Sequence, residues 1–81
     1  MYYAYVLRSL KDSSYYYGQT KNLETRLKIH NSGKSRYTKG HLPYVLHYSE
    51  EYDTRKQAIE RERFLKSIDG YNWLRLEGII K

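Results

Sequence analysis

The chain has no cysteine, which excludes disulfide staples and thiolate metal sites and suits a reducing cytosol. No apolar run approaches the roughly 18 residues needed to cross a bilayer, and the first residues lack the basic and apolar regions of a secretory signal. These absences predict a soluble, cytoplasmic protein that makes no contact with a membrane. With 81 residues there is no room for a second domain, so residues 1–81 are read as one domain. A chain this small buries only about 60% of the surface it exposes when unfolded, so its core must use most of its apolar residues. Internal repeats and low-complexity tracts are also missing.

Tyrosine and positive charge are abundant. Tyrosine supplies 11 residues, against one phenylalanine and one tryptophan. A tyrosine can fill a small core and still present a hydroxyl to a site, although strand propensity and packing alone also account for many of them. The net charge is +6 and the sequence pI about 9.6, which favours a polyanionic partner. The charge is uneven. Residues 21–43 carry Lys21, Arg26, Lys28, Lys34, Arg36 and Lys39 against Glu24 alone, and the loop in this block adds Tyr37 and His41. Lys21, Lys34, Arg36, Lys39 and His41 are therefore the candidate nucleic-acid contacts. The following stretch turns acidic, with Glu50, Glu51 and Asp53.

Residues 2–7 are continuously apolar and rich in strand formers, which predicts a strand covered on both faces. Lys11-Asp12-Ser13-Ser14 is turn chemistry, and residues 15–19 read as a second strand completing an antiparallel hairpin. Thr20 or Asn22 can cap a helix running to about residue 31, where Asn31-Ser32-Gly33 supplies a stop. Residues 34–43 are irregular, and residues 44–48 form a third strand. Thr54 and Gln57 make a capping-box pattern for a helix reaching roughly Ile68. Gly70 is expected to break that helix, and residues 71–80 to pack back through Trp73, Leu76 and Ile80. The order β-β-α-β-α-α describes an α+β domain, a small three-stranded antiparallel sheet flanked by helices.

Two helices place polar residues where a plain amphipathic helix would not. Arg26 and His30 share a face with Leu23 and Leu27, so both are expected to point toward the protein body. On the second helix Ala58, Ile59, Leu65 and Ile68 define the apolar arc, and Glu62 falls inside it, whereas Glu60 falls outside. An inward carboxylate requires a partner, because burying an isolated charge is too costly. That partner is either a basic residue, with Arg26 as the candidate, or a bound cation. Tyr5 on the first strand and Tyr16 on the second are brought together by hairpin pairing, with Gly18 allowing close approach.

Taken in order, these elements resemble the GIY-YIG nuclease family over nearly the whole chain. Tyr3-Ala4-Tyr5 corresponds to the first signature and Tyr16-Tyr17-Gly18 to the second. Arg26 lies eight residues after Gly18, and His30 follows one helical turn later. The segment Ala58-Ile59-Glu60-Arg61-Glu62-Arg63-Phe64-Leu65 is similar to the helix that bears the family's metal-binding glutamate. The resemblance is greatest to the small stand-alone members and to the nuclease domain of bacterial excision repair. There are departures: Tyr3 and Ala4 replace a glycine and an isoleucine, Gln19 stands where the repair domain has a lysine, and Asn72 is the candidate for a late asparagine.

The resemblance implies a phosphodiester hydrolase acting on DNA, with RNA left open, and using one Mg²⁺ or Mn²⁺ held by Glu62. It implies Tyr5, Tyr16, Arg26, His30 and Glu62 as the catalytic set. A nucleic-acid-binding module that has lost catalysis is the alternative reading. No segment is left over for a base-reading domain, so targeting is expected to come from substrate structure or a partner protein. Phosphate contacts position a protein on nucleic acid without specifying sequence.

Overall fold

A computed structural model describes residues 1–36 and 38–81; Tyr37, singled out in the basic loop, lies outside the described residues. The elements follow the order β1 (Tyr2–Ser9), β2 (Tyr15–Thr20), α1 (Leu23–Asn31), one 3₁₀ turn (Lys39–His41), β3 (Tyr44–Tyr52), α2 (Arg55–Leu65) and α3 (Ile68–Leu76). The three strands form one antiparallel sheet in the order β2-β1-β3. This is the predicted α+β architecture. Strand β3 runs past residue 48 to Tyr52, because it pairs with the whole of β1, from Tyr2 opposite Tyr52 to Ser9 opposite Tyr44, across one bulge.

β1 is the middle strand, which is why its sequence is apolar without alternation. Successive side chains point to opposite faces of a sheet. Ala4 and Val6 join Leu65, Leu74 and Ile80 on one face. Tyr5 and Leu7 join Tyr44 on the other, with Tyr16, Leu23, Leu27 and Leu42 packed against them. Two small cores thus share one strand.

Local chemistry sets the helix ends. The Asn22 side chain accepts from the Thr25 amide at 3.0 Å and caps α1. Gly33, at φ +79°, takes the left-handed conformation just beyond the C-cap, where a residue with a Cβ is disfavoured. Thr54 and Gln57 form the full capping box that starts α2.

The end of α2 differs from expectation. The helix stops at Leu65, and Ser67 caps α3 by accepting from the Gly70 amide at 3.1 Å. Gly70 is therefore inside α3 and breaks nothing. A Cβ there would fall 1.8 Å from the Phe64 carbonyl oxygen, so the glycine lets α2 and α3 meet. The changed boundary also reassigns two apolar residues. Ile68 is 80% exposed and Leu76 85% exposed, and neither packs as its spacing suggested. α3 instead buries Gly70 and Leu74, and Ile80 follows into the core. Among the described residues no helix is long and apolar enough to cross a membrane.

Candidate active site

Tyr5 sits directly opposite Gly18 in the β1–β2 ladder. Its phenol occupies the space a side chain at Gly18 would need, since a Cβ there would lie 2.4 Å from the Tyr5 hydroxyl oxygen. The glycine is thus required by the tyrosine. Tyr16, two residues earlier on β2, projects from the same face, and the two rings stand 6.5 Å apart.

α1 lies against that face and adds two side chains one turn apart. His30 is fully buried, with its ring 4.7 Å from that of Tyr16. Both imidazole nitrogens are engaged: Nε2 lies 3.2 Å from the Tyr5 hydroxyl and Nδ1 lies 3.1 Å from the Thr38 hydroxyl. Arg26 is half-buried with its guanidinium beside the phenol oxygens of Tyr5 and Tyr16, and that hydrogen bonding holds its proton more firmly still.

The electrostatics follow from this packing. Burial pushes the Tyr5 phenol above its ordinary value of 10.0, and the Tyr16 and Glu62 charges add to the effect while Arg26 opposes it. Burial also pulls the His30 imidazole below its ordinary 6.5, and the Arg26 charge pulls it further. At neutral pH the cluster therefore holds a neutral phenol, a neutral imidazole and a permanent cation.

Glu62, on α2, completes the group, close enough for its charge to act on Tyr5. Its ion pair is with Lys66, one turn along the same helix, with Lys66 Nζ 2.9 Å from Glu62 Oε2. Of the two alternatives, a basic residue or a cation, a basic residue is present, and it is Lys66 rather than the candidate Arg26. Nor is the acid sealed away: its side chain is 21% exposed, and that of Lys66 is 51% exposed. Among the described residues no cluster of three or more His, Cys, Asp or Glu residues is arranged to hold a metal. A lone carboxylate reachable from solvent fits a hard cation such as Mg²⁺, which is commonly bound through one or two carboxylates and completed by water and substrate phosphate.

The five predicted catalytic residues thus gather in one place, and the predicted basic contacts divide. Lys21 joins Arg26 in lining an open cleft of about 430 Å³, together with Tyr2, Gln19, Thr20 and Arg55. Lys34, Arg36 and Lys39 stand exposed on the loop and line no part of that cleft. His41 is turned to the hairpin, its Nδ1 2.5 Å from Asp12 Oδ2; the Ser14 hydroxyl, and then His41, hold the Asp12 carboxyl far below the usual carboxylate range. Asn72 is exposed on α3 beside Arg75 and Leu76, in a depression that none of the clustered residues lines. A second concavity of about 430 Å³ is lined by Tyr15, Tyr16, Tyr17 and Lys66.

Sequence reading missed Thr38, Lys66 and Arg55. Lys66 was detectable, four residues after Glu62 on a helix. Thr38 and Arg55 carry no local signal.

Comparison with known proteins identifies the family. Residues 1–71 match the GIY-YIG catalytic domain family, a span that includes all five clustered residues. A UPF0213 protein of Bacillus licheniformis is 44% identical over 72 residues, covering 88% of this chain and 73% of that protein. One from Staphylococcus haemolyticus is 37% identical over 76 residues, covering 93% and 92%. The solution NMR structure of a UPF0213 protein from Bacillus halodurans matches with a TM-score of 0.53 at 33% identity, covering 91% of this chain and 82% of that one. The chain therefore belongs to the GIY-YIG catalytic domain family, whose members are endonucleases that act on DNA and generally use divalent metal ions.

Proposed function

We propose that this chain is a metal-dependent endonuclease that hydrolyses DNA phosphodiester bonds in the cytoplasm and is directed to its targets by DNA structure or by a partner protein. The observation that carries this reading is the convergence of Tyr5, Tyr16, Arg26, His30 and Glu62 beside a basic cleft. Glu62 would hold one Mg²⁺ or Mn²⁺, and that ion supplies Lewis-acid stabilisation of the leaving 3′ oxygen.

The protein's own groups supply the rest. Arg26 presents a permanent cation and a fork of donors, suited to the charge that builds on the phosphate oxygens as the attacking bond forms. Tyr5 is too firmly protonated to wait as a phenolate. Its neighbour His30 is neutral and 3.2 Å away, so the phenol serves as a relay: it takes a proton from the attacking water as its own passes to His30 Nε2. This direction requires Nδ1 to carry the proton of the neutral ring and donate it to the Thr38 hydroxyl oxygen, 3.1 Å away. Thr38 thereby fixes the tautomer. Tyr16 packs against both rings and orients the phosphate.

One observation favours the alternative, a nucleic-acid-binding module without catalysis: an ammonium already occupies one oxygen of Glu62. Nicking of branched and linear DNA, with Mg²⁺ or Mn²⁺ and then with chelator, separates the two. The nuclease reading expects cleavage that chelator abolishes and that Glu62→Ala lacks while still binding DNA. Cleavage that survives Glu62→Ala, or no cleavage by the native chain on any of these substrates, rejects it.

A further inference from the structure

We propose that the cleft beside Arg26 is a binding subsite for a second phosphodiester, adjacent to the one being cut, with Arg55 and Lys21 as its ligands. This inference rests on the nuclease reading only for the identity of the neighbouring, scissile phosphate. The cleft is built where three elements end. Tyr2 opens β1, Thr20 closes β2, Lys21 lies in the link to α1, and Arg55 is the first residue of α2. Arg26 forms part of its wall and also stands beside the Tyr5 and Tyr16 phenols. A polyanion held at Arg26 therefore continues into the cleft.

The lining contains three cations, no acid, and the Gln19 amide. Some of the chain's cations have an acidic partner, Lys28 with Glu24, Arg61 with Glu50 and Lys66 with Glu62. Among the described residues neither Lys21 nor Arg55 has an acidic partner within 4.0 Å. Unpaired cations facing one concavity repel one another, a cost that an anion relieves. The ligand class is set by continuity. A phosphate oxygen at Arg26 belongs to a chain whose next phosphate carries another charge, and the cleft places two further cations where that chain must pass. Gln19 contributes a neutral donor, so Arg55 supplies a cation that the sequence around Gly18 does not.

The test uses Glu62→Ala protein, which binds without cutting, and fluorescein-labelled DNA with one linkage at a time replaced by a neutral methylphosphonate. The variants are Lys21→Ala/Arg55→Ala and, matched for charge, Arg75→Ala/Lys81→Ala. Removing two phosphate ligands should flatten the slope of log K against log salt by about 2. One methylphosphonate next to the scissile linkage should weaken binding several-fold in the parent protein and not in Lys21→Ala/Arg55→Ala. Arg75→Ala/Lys81→Ala should keep that position-specific penalty, which separates a subsite from a general loss of charge. An unchanged salt slope in Lys21→Ala/Arg55→Ala, or a methylphosphonate penalty that persists in it, overturns the subsite even if the native protein cuts DNA. A flattened salt slope together with loss of the position-specific methylphosphonate penalty in Lys21→Ala/Arg55→Ala supports the subsite even if the native protein proves not to cut.

Discussion

Arg61 and Glu62 are neighbours on α2 and belong to opposite kinds of site. Arg61 gives two hydrogen bonds to Glu50, at 2.6 and 3.1 Å, and its guanidinium lies 4.6 Å from the Phe64 ring centre and 4.5 Å from that of Trp73. Glu50 also accepts from the hydroxyls of Tyr48 and Tyr52. This acid is saturated by donors on rigid elements, and nothing more can bind to it. Glu62 has one ion-pair partner, a half-exposed lysine at the C-cap of its own helix. One carboxylate holds strand to helix, and on the proposed function the other is the metal ligand. On that reading the number of partners, rather than burial alone, separates the two acids.

The sharpest way to break this comparison is to neutralise each acid in turn. Glu62→Gln should lower the nicking rate at least about a hundredfold, since a ligand to a Lewis acid is worth several kcal/mol in the transition state. Its unfolding free energy in urea should stay within about 0.5 kcal/mol, the ordinary scale of an exposed helix pair. Glu50→Gln should do the reverse, losing about 2–3 kcal/mol of stability by stranding Arg61 among aromatic rings. Its nicking rate should remain native below its own unfolding transition. If the two variants lose stability alike, or activity alike, the division between the acids is wrong.

The same contrast predicts a response to pH. Although burial by itself raises it, donors from Arg61, Tyr48 and Tyr52 leave the Glu50 carboxyl below its ordinary 4.5. A depressed folded pKa gives stability that is present above the unfolded value and lost as pH falls through the folded one. Urea unfolding from pH 6 downward should therefore show an acid limb below about pH 4.5 that Glu50→Gln diminishes and Glu62→Gln retains. The tyrosines give the opposite limb. Burial and the bond to Glu50 push Tyr48 and Tyr52 up to about 12, so their contribution is full below pH 10.0 and is lost as pH rises through about 12. Nicking has its own limb: the relay requires neutral His30, whose value lies below 6.5, so the rate should fall only at a pH more acidic than that. A rate that already declines between pH 8 and 7 would remove His30 from the relay.

What the sequence revealed, and what it hid, divides along the same line. Asn22, Thr54 with Gln57, and the unbroken apolar run of β1 act over a few residues, so each could be read directly. Gly70 misled because a helix break and a close approach call for the same residue, and only the Phe64 carbonyl beside it decides between them. Ile68 and Leu76 misled because helical spacing defines a face without saying whether anything covers it. The assembled cluster was visible as types at known intervals, Tyr5, Tyr16, Arg26, His30 and Glu62. Its supports were not: Thr38 reaches His30 from a loop, and Arg55 and Tyr2 meet Lys21 only when three element ends come together. Glu62 was read as needing a basic residue or a cation, with Arg26 as the candidate base, and the base present is Lys66, one turn away in the sequence.

That counter-ion yields the smallest and most specific expectation. Lys66 Nζ is 2.9 Å from Glu62 Oε2, so if Glu62 holds the metal as proposed, the ammonium and the ion would compete for one oxygen. A half-exposed i,i+4 pair is worth about 0.3–0.5 kcal/mol, which corresponds to about a twofold change in an equilibrium constant. Lys66→Gln should therefore bind Mn²⁺ about twofold more tightly than the native chain in the absence of DNA, measured by the loss of the free-ion electron paramagnetic resonance signal. Its unfolding free energy should change by no more than the pair itself is worth. Arg61→Gln removes the same charge one residue from Glu62, and it should leave Mn²⁺ binding native while costing several times more stability. If Mn²⁺ binds equally to the native and Lys66→Gln proteins, the ammonium does not compete with the ion, and Glu62 must meet its metal through the other oxygen.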